Sequence, residues 1–131
     1  MEHKYPFLQA ALLCESVTTD EVGRHSIHNE FSQYTMGYSQ PFTILTIWRG
    51  GSNESSDTFK EKIELTAPDG RVVAAGENGP FSLQNNTFRQ VNSLLFDNVD
   101  FTYEGTYDLS IYLFNSLENK VCEYTYPITV V

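Results

Sequence analysis

The chain has 131 residues, of which 17 are acidic and 8 are basic, so its net charge is −9. This length predicts one domain over residues 1–131 that buries about two-thirds of the surface its unfolded chain exposes, without needing a metal or a disulfide. Because binding to phosphates depends on clustered lysine and arginine, the acidity excludes nucleic acid and anionic membrane surfaces as primary partners. Nine Phe, eight Tyr and one Trp favour an all-β domain, since aromatic side chains suit half-buried strands.

The segment FLQAALLCES, residues 7–16, is the most apolar run near the start of the chain. It could be an export signal, a short helix or a buried strand. An export signal needs a basic start and a small-residue cleavage site, which this segment lacks, and two helical turns are marginal alone. No apolar run approaches the roughly 20 residues that span a bilayer. We therefore predict a first core strand in a cytoplasmic protein, with one apolar face formed by Leu8, Ala10, Leu12 and a buried Cys14.

In most of the remaining chain, apolar and polar residues alternate as they do in β-strands. A polar turn is predicted over 16–24, and strand regions follow over 25–38, 42–48, 59–66, 71–76, 87–96, 106–114 and 121–130. Loops or turns are predicted over 49–58, 67–70, 77–86 and 115–120. The near-continuous apolar character of 42–48 places that strand in the centre of a sheet. About eight strands at short, regular spacing predict an antiparallel sandwich or barrel.

The segment NVDFTYEGTYDLSIYLFN, residues 98–115, resembles the start of the sixth strand of immunoglobulin-like domains. The matching residues are Val99, Glu104, Gly105 and Tyr107. In such a corner a glycine allows the tight turn, and the tyrosine ring fills the edge of the core while its hydroxyl binds the backbone upstream.

Two positions depart from the immunoglobulin pattern. Tyr103 stands where the usual aspartate would be, and Leu109 stands where antibody domains have a cysteine, so the ion pair and the disulfide of those domains cannot form. Trp48, on a central strand, corresponds to the buried tryptophan of that fold. The resemblance implies an immunoglobulin-like antiparallel β-sandwich of about 7–9 strands.

The opening segments are also similar to a family of small uncharacterised bacterial proteins that carry only a domain-of-unknown-function label. The similar segments are PFLQAALLCE at 6–15, HSI at 25–27 and PFTI at 41–44, so the resemblance extends to about residue 50. It implies a β-sandwich in a bacterial cytosolic setting, and it implies no reaction and no cofactor.

The cysteines and histidines suggest no reactive centre. Cys14 and Cys122 lie in the first and last predicted strands and could bridge only if those strands are neighbours, but without export reduced thiols are expected. His25 and His28 are three residues apart in a strand, so they face opposite sides and do not form a metal site.

The acidic residues before the tyrosine corner are predicted to form a solvated loop. Asp97, Asp100 and Glu104 crowd this loop, but a hard cation needs six to eight oxygen ligands and the full spacing is missing. A hydrolase that uses Asp97 and Asp100 is the least favoured function, because acid and base roles need opposed environments. No catalytic residue is predicted.

Outward aromatic side chains are the remaining functional signal. Tyr112 and Phe114 alternate outward on the sixth predicted strand, in line with Tyr103, and either form an exposed patch or are covered by another part of the chain. An exposed patch would indicate a non-enzymatic domain that binds a protein or a second copy of itself. The alternative is a carbohydrate-binding module, since sugars stack on exposed aromatic rings.

Overall fold

The computed structural model describes residues 6–35, 41–50, 58–83, 89–97 and 99–131. Within these ranges the chain forms strands and no helix. The strands are β1 Phe7–Thr19, β2 His25–Phe31, β3 Gln33–Tyr34, β4 Phe42–Arg49, β5 Thr58–Thr66, β6 Val72–Ser82, β7 Arg89–Phe96, β8 Gly105–Asn115 and β9 Lys120–Val130.

The strands form two sheets that pack face to face. The four-stranded sheet has the order β2-β1-β4-β7, and the five-stranded sheet has the order β3-β9-β8-β5-β6. The short β3 pairs parallel with β9, and the other described pairs are antiparallel. The predicted immunoglobulin-like sandwich is thus confirmed.

The core lies between the sheets and is rich in aromatic rings. The bulkiest fully buried side chains are those of Trp48, Tyr107, Phe42 and Phe101. On β8, the predicted inward residues Leu109, Ile111 and Leu113 are all buried, and each side chain of this size contributes roughly 1.5–3 kcal/mol when fully buried. The alternation of apolar residues along this strand therefore stabilises the sandwich directly.

The predicted central strand is confirmed as β4, which pairs with β1 on one side and β7 on the other. Its consecutive residues Ile44 and Leu45 are both buried, although they point to opposite faces of the sheet. Burial on both faces explains why this segment has so few polar residues.

The predicted apolar face of β1 is wrong beyond Leu8. A bulge lies between Leu8, which pairs with Trp48, and Ala10, which pairs with Ile47. The extra residue reverses the faces, so that Leu13 joins the core cluster with Leu8. Cys14 is buried as predicted, but outside that cluster.

The predicted polar turn over 16–24 is too long. β1 continues to Thr19, because its polar end pairs with His25–Ile27 of β2. The turn itself is closed by Asp20, whose carboxylate accepts hydrogen bonds from the backbone N–H groups of Val22 and Arg24. The predicted strand region 25–38 divides into β2 and β3, and its residues 36–38 lie outside the described ranges.

The loop predicted over 77–86 is also corrected, because β6 runs through to Ser82. Phe59 pairs with Phe81 and Glu61 pairs with Asn78, so Gly79 and Pro80 together oppose Lys60 in a bulge. Gly79 has a φ of 129°, and a Cβ there would lie 2.9 Å from the carbonyl oxygen of Phe59. Glycine is therefore required at this position of the bulge.

Candidate functional site

The tyrosine corner has the geometry that the sequence motif suggests. The ring of Tyr107 is fully buried, and its hydroxyl donates to the carbonyl oxygen of Tyr103 at 3.0 Å and accepts from the N–H of Tyr103 at 3.2 Å. Val99 is buried beside this corner, and Gly105 has a φ of 125°. These residues are structural, since they join the loop before β8 to the core.

A buried carboxylate that the sequence analysis missed lies between the sheets. Glu61 is 0% exposed, although it stands on β5 between the outward-facing Lys60 and Lys62. Glu61 is two residues from each of the buried Phe59 and Ile63, and residues at this spacing point to the same face of a strand. This spacing was the sequence signal for an inward position. An isolated charge is strongly disfavoured in a core, so the position depends on hydrogen bonds.

Three neutral donors surround the Glu61 carboxylate. The hydroxyl of Thr46 and the indole N–H of Trp48 donate to Oε1, the latter at 2.9 Å, and the side-chain amide of Asn78 donates to Oε2 at 2.8 Å. Thr46 and Trp48 belong to the opposite sheet, so the carboxylate ties the two sheets together. We call Glu61, Thr46, Trp48 and Asn78 the carboxylate cluster.

The carboxylate cluster explains the environment of Trp48. The indole is fully buried, as the immunoglobulin resemblance implied, and its ring meets that of Tyr124 edge to face at 6.1 Å between centroids. A buried indole of this kind cannot stack on a ligand.

The candidate aromatic surface does not form one patch. Tyr112 and Phe114 lie on the outer face of the five-stranded sheet with ring centroids 6.2 Å apart, and we call them the aromatic pair. Tyr103 is 48% exposed but precedes β8. The backbone of Tyr103 contacts the hydroxyl of Tyr107, and Tyr107 lies five residues before Tyr112 on β8, which is roughly 17 Å at about 3.4 Å per residue.

Lysine side chains surround the aromatic pair. In the register of the sheet Lys62 stands opposite Tyr112, and Lys60 stands opposite Phe114. The ammonium group of Lys120 lies 5.2 Å from the centroid of the Tyr112 ring, a cation–π distance. Lys120 also pairs with Glu123, and this hydrogen bond raises the pKa of the lysine.

A cavity of about 260 Å³ opens beside the aromatic pair, at the bulge between β5 and β6. Its lining is Thr58, Phe59, Lys60, Lys62, Glu77, Pro80, Phe114, Asn115, Ser116 and Glu118. We call it the bulge cavity. Its two lysines and two glutamates balance in charge, so the cavity suits a neutral polar ligand with an apolar face better than an ion.

A second cavity, of about 320 Å³, is lined by residues of β1, β2, β3 and the start of β4. Its lining includes the rings of Phe31, Tyr34 and Phe42, whose neighbouring centroids are 5.5–5.8 Å apart, and the side chains of Glu15 and Glu30. Sequence reasoning did not anticipate it, because the rings come from three separate strands.

The two cysteines are free and far apart. The thiol of Cys122 donates to the carbonyl oxygen of Pro6 at 3.2 Å. Cys14 is eight positions beyond Pro6, which is roughly 25 Å along an extended strand, and a disulfide needs Cα atoms within about 7 Å. Burial raises the pKa of both thiols, and the charge of Glu30 raises that of Cys14 further.

The other polar groups considered from the sequence do not converge. His25 and His28 contact the hydroxyls of Thr19 and Thr18 separately, at 3.0 and 3.1 Å. In the described part of the chain no three His, Cys, Asp or Glu side chains are arranged to hold a metal ion. Asp97, Asp100 and Glu104 are all exposed. Among the described residues there is no helix with the length and apolar character needed to cross a membrane.

Comparison with known proteins finds a structural neighbour and a family. The CARDB domain of a protein from Pyrococcus furiosus, solved in complex with di-metal ions, is similar in structure with 11% identity and a TM-score of 0.46, covering 100% of this chain and 95% of that chain. A comparison with curated proteins finds no match. The family of unknown function DUF6941 matches residues 9–122, which confirms the resemblance noticed in the opening segments. The chain therefore belongs to the DUF6941 family.

Proposed function

We propose that this protein is a non-enzymatic binding domain that acts through the aromatic pair on the outer face of the five-stranded sheet. The observation that carries the proposal is the placement of Tyr112 and Phe114, side by side on a sheet face and next to the bulge cavity. Aromatic side chains are enriched at protein interfaces, where they supply large contact area. The partner is a protein, including a second copy of this chain.

The placement of the carboxylates supports a non-catalytic role. Glu61 is enclosed by its three donors and faces the core. Asp97 and Asp100 are both exposed, so they lack the contrasting environments that separate an acid from a base. The thiols of Cys14 and Cys122 have raised pKa values, which disfavours the reactive thiolate form.

The experiment compares the wild-type protein with a Tyr112→Ser, Phe114→Ser double variant by sedimentation velocity over a range of concentrations. We expect the wild type to associate and the double variant to remain monomeric. Tyr103→Ser is the matched control, since it removes an exposed ring at the other end of the sheet. If the wild type is monomeric, both proteins serve as baits for partner capture from source cells. Recovery of the same proteins by both baits contradicts the proposal.

A carbohydrate ligand is the second candidate, and the bulge cavity is the observation that favours it. The cavity places the Phe114 ring beside lysine, glutamate and asparagine side chains with no net charge, a combination that can stack on a sugar ring and bind its hydroxyls. Titration of isotope-labelled protein with neutral oligosaccharides should shift the amide resonances of Phe114 and Asn115. Phe114→Ala should abolish the shifts and Tyr103→Ala should keep them, whereas unchanged wild-type spectra exclude this candidate.

The cytoplasmic location stays a prediction from the sequence. Two cysteines too far apart to bridge are consistent with a reducing compartment, and fractionation of the source cells tests it.

A further inference from the structure

One buried side chain next to the carboxylate cluster lacks a hydrogen-bond partner. Asn92 on β7 is 8% exposed, and its amide nitrogen Nδ2 has no partner among the described residues. Its oxygen Oδ1 accepts from the side-chain amide of Gln90 at 3.0 Å. Rotating the side-chain amides of Gln90 and Asn92 by 180° would exchange the oxygen and nitrogen positions of Asn92. One of these two Asn92 atoms would still lack a partner.

The side chain of Asn92 lies on the face of β7 that turns toward the other sheet. Asn92 pairs with Thr46 in the β4–β7 register, and directly opposite residues of a strand pair point to the same face. The hydroxyl of Thr46 donates inward to Glu61. Asn92 therefore extends the carboxylate cluster to the edge strand β7.

Acceptor positions remain free on the same cluster. A carboxylate has about four acceptor positions, and the donors from Thr46, Trp48 and Asn78 fill three of those on Glu61. The hydroxyl oxygen of Thr46 can accept as well as donate. A free donor and free acceptors thus lie on neighbouring side chains in a buried place.

We infer that Asn92 and the carboxylate cluster bind one buried water molecule. With its oxygen bonded to Gln90, the Asn92 side chain offers a donor, which does not bind a cation, and no three His, Cys, Asp or Glu side chains of the described residues are arranged to hold a metal ion. The nearby Glu61 carboxylate disfavours an anion. Water is neutral, accepts and donates at once, and satisfies Asn92 in either amide orientation. Buried waters typically make about three hydrogen bonds to polar groups that the protein leaves unpaired. This water links β7 to β4 and β5, and so joins an edge strand to both sheets.

Nuclear magnetic resonance on the labelled wild-type protein tests the inference with water-selective NOE and ROE spectra. A water that tumbles with the protein gives NOE and ROE cross peaks of opposite sign at the Asn92 side-chain amide. The exposed amide of Asn119 is the internal control, because surface water and proton exchange give cross peaks of the same sign in both spectra. Same-sign or absent cross peaks at Asn92 overturn the inference.

Oxygen-17 relaxation dispersion of the solvent provides a second readout on variants. Asn92→Leu should reduce the dispersion amplitude by the equivalent of one long-lived water, and Asn119→Ala should leave it unchanged. A folded Asn92→Leu protein with unchanged amplitude contradicts the inference. If that variant does not fold, the wild-type cross peaks decide by themselves.

Discussion

Glu61 and Tyr107 are two buried side chains whose polar atoms find their hydrogen-bond partners in different ways. Glu61 brings a carboxylate between the sheets and depends on donors from β4 and β6. Tyr107 keeps its hydroxyl at the edge of the core, where both of its hydrogen bonds go to the backbone of one nearby residue, Tyr103. The first arrangement holds the sheets together and the second closes a loop onto its own strand.

Replacement of the Glu61 carboxylate should destabilise the fold strongly. Glu61→Leu leaves the buried donors of Thr46 and Trp48 and the half-buried amide of Asn78 without an acceptor. At about 1–3 kcal/mol for each unsatisfied group, the free energy of unfolding should fall by about 3 kcal/mol or more. Urea denaturation of the wild type and the variant measures this loss of unfolding free energy.

Glu64→Leu is the matched control for Glu61→Leu, on the same strand but facing outward. It removes only the partly exposed salt bridge to Lys62, in which N and O are 3.2 Å apart. Such pairs contribute about 0–1 kcal/mol. Equal losses in the two variants would show that the carboxylate cluster does not stabilise the core.

Two variants of Tyr107 measure separately how much its hydroxyl and its ring contribute to stability. Tyr107→Phe should lower the free energy of unfolding by about 1 kcal/mol, the contribution of a typical hydrogen bond. Tyr107→Ala should lower it by about 3–5 kcal/mol, because it leaves a cavity at a fully buried ring. Thermal and urea denaturation give both values, and equally small effects would contradict a structural role for the corner.

At the scale of elements, two bulges decide which side chains reach the core. The bulge at Gln9 in β1 moves Leu13 inward. At the second bulge two residues of β6, Gly79 and Pro80, stand against one residue of β5. This shift of register makes Asn78 the partner of Glu61. The same bulge forms one wall of the bulge cavity through Pro80. The buried cluster and the candidate binding surface therefore share one irregularity of the sheet.

Substitution of Gly79 tests the bulge. In Gly79→Ala the new Cβ meets the carbonyl oxygen of Phe59 at 2.9 Å, and the residue keeps a φ that only glycine adopts easily. Backbone strain of this kind amounts to about 1–3 kcal/mol before any contact is added. The loss of unfolding free energy should thus exceed that of Gly70→Ala, where φ is 90° but no atom lies within 4 Å. A smaller loss at position 79 would contradict the close approach of the strands.

At the scale of the whole molecule, two thiols and one phenol that are fully or partly shielded from solvent predict how stability responds to alkaline pH. Burial raises the pKa of Cys14, Cys122 and Tyr126 in the folded protein. The unfolded chain therefore releases these protons first, and the folded state keeps its full stability only below the ordinary cysteine pKa of 9.0.

The free energy of unfolding should therefore decrease as the pH rises past 9.0. Urea denaturation at a series of pH values measures this slope. Cys14→Ala should show a shallower slope than the wild type, because one of the shifted groups is gone. A wild-type stability that stays constant or increases in this range would contradict the prediction.

The sequence by itself determined the features that depend on neighbouring residues. Alternation of apolar and polar residues predicted the strands, because side chains point to opposite faces at every step. The segment from Val99 to Tyr107 predicted the corner, because its turn, ring and hydrogen bond lie within a few residues of one another. The turn over 67–70 was predicted for the same reason and is closed by a hydrogen bond from Gly70 to Ala67.

Only the tertiary structure decided the rest, because those features depend on strands that are distant in sequence. The two-residue spacing along β5 already indicated that Glu61 faces inward. Burial of its carboxylate is tolerated only because β4 and β6 supply hydrogen-bond donors. The bulges at Gln9 and Gly79 arise from how each strand pairs with its partner, which alternation within one strand does not specify. The separation of Tyr103 from Tyr112 likewise follows from where β8 begins, so the candidate surface is the aromatic pair and its cavity rather than a continuous stripe.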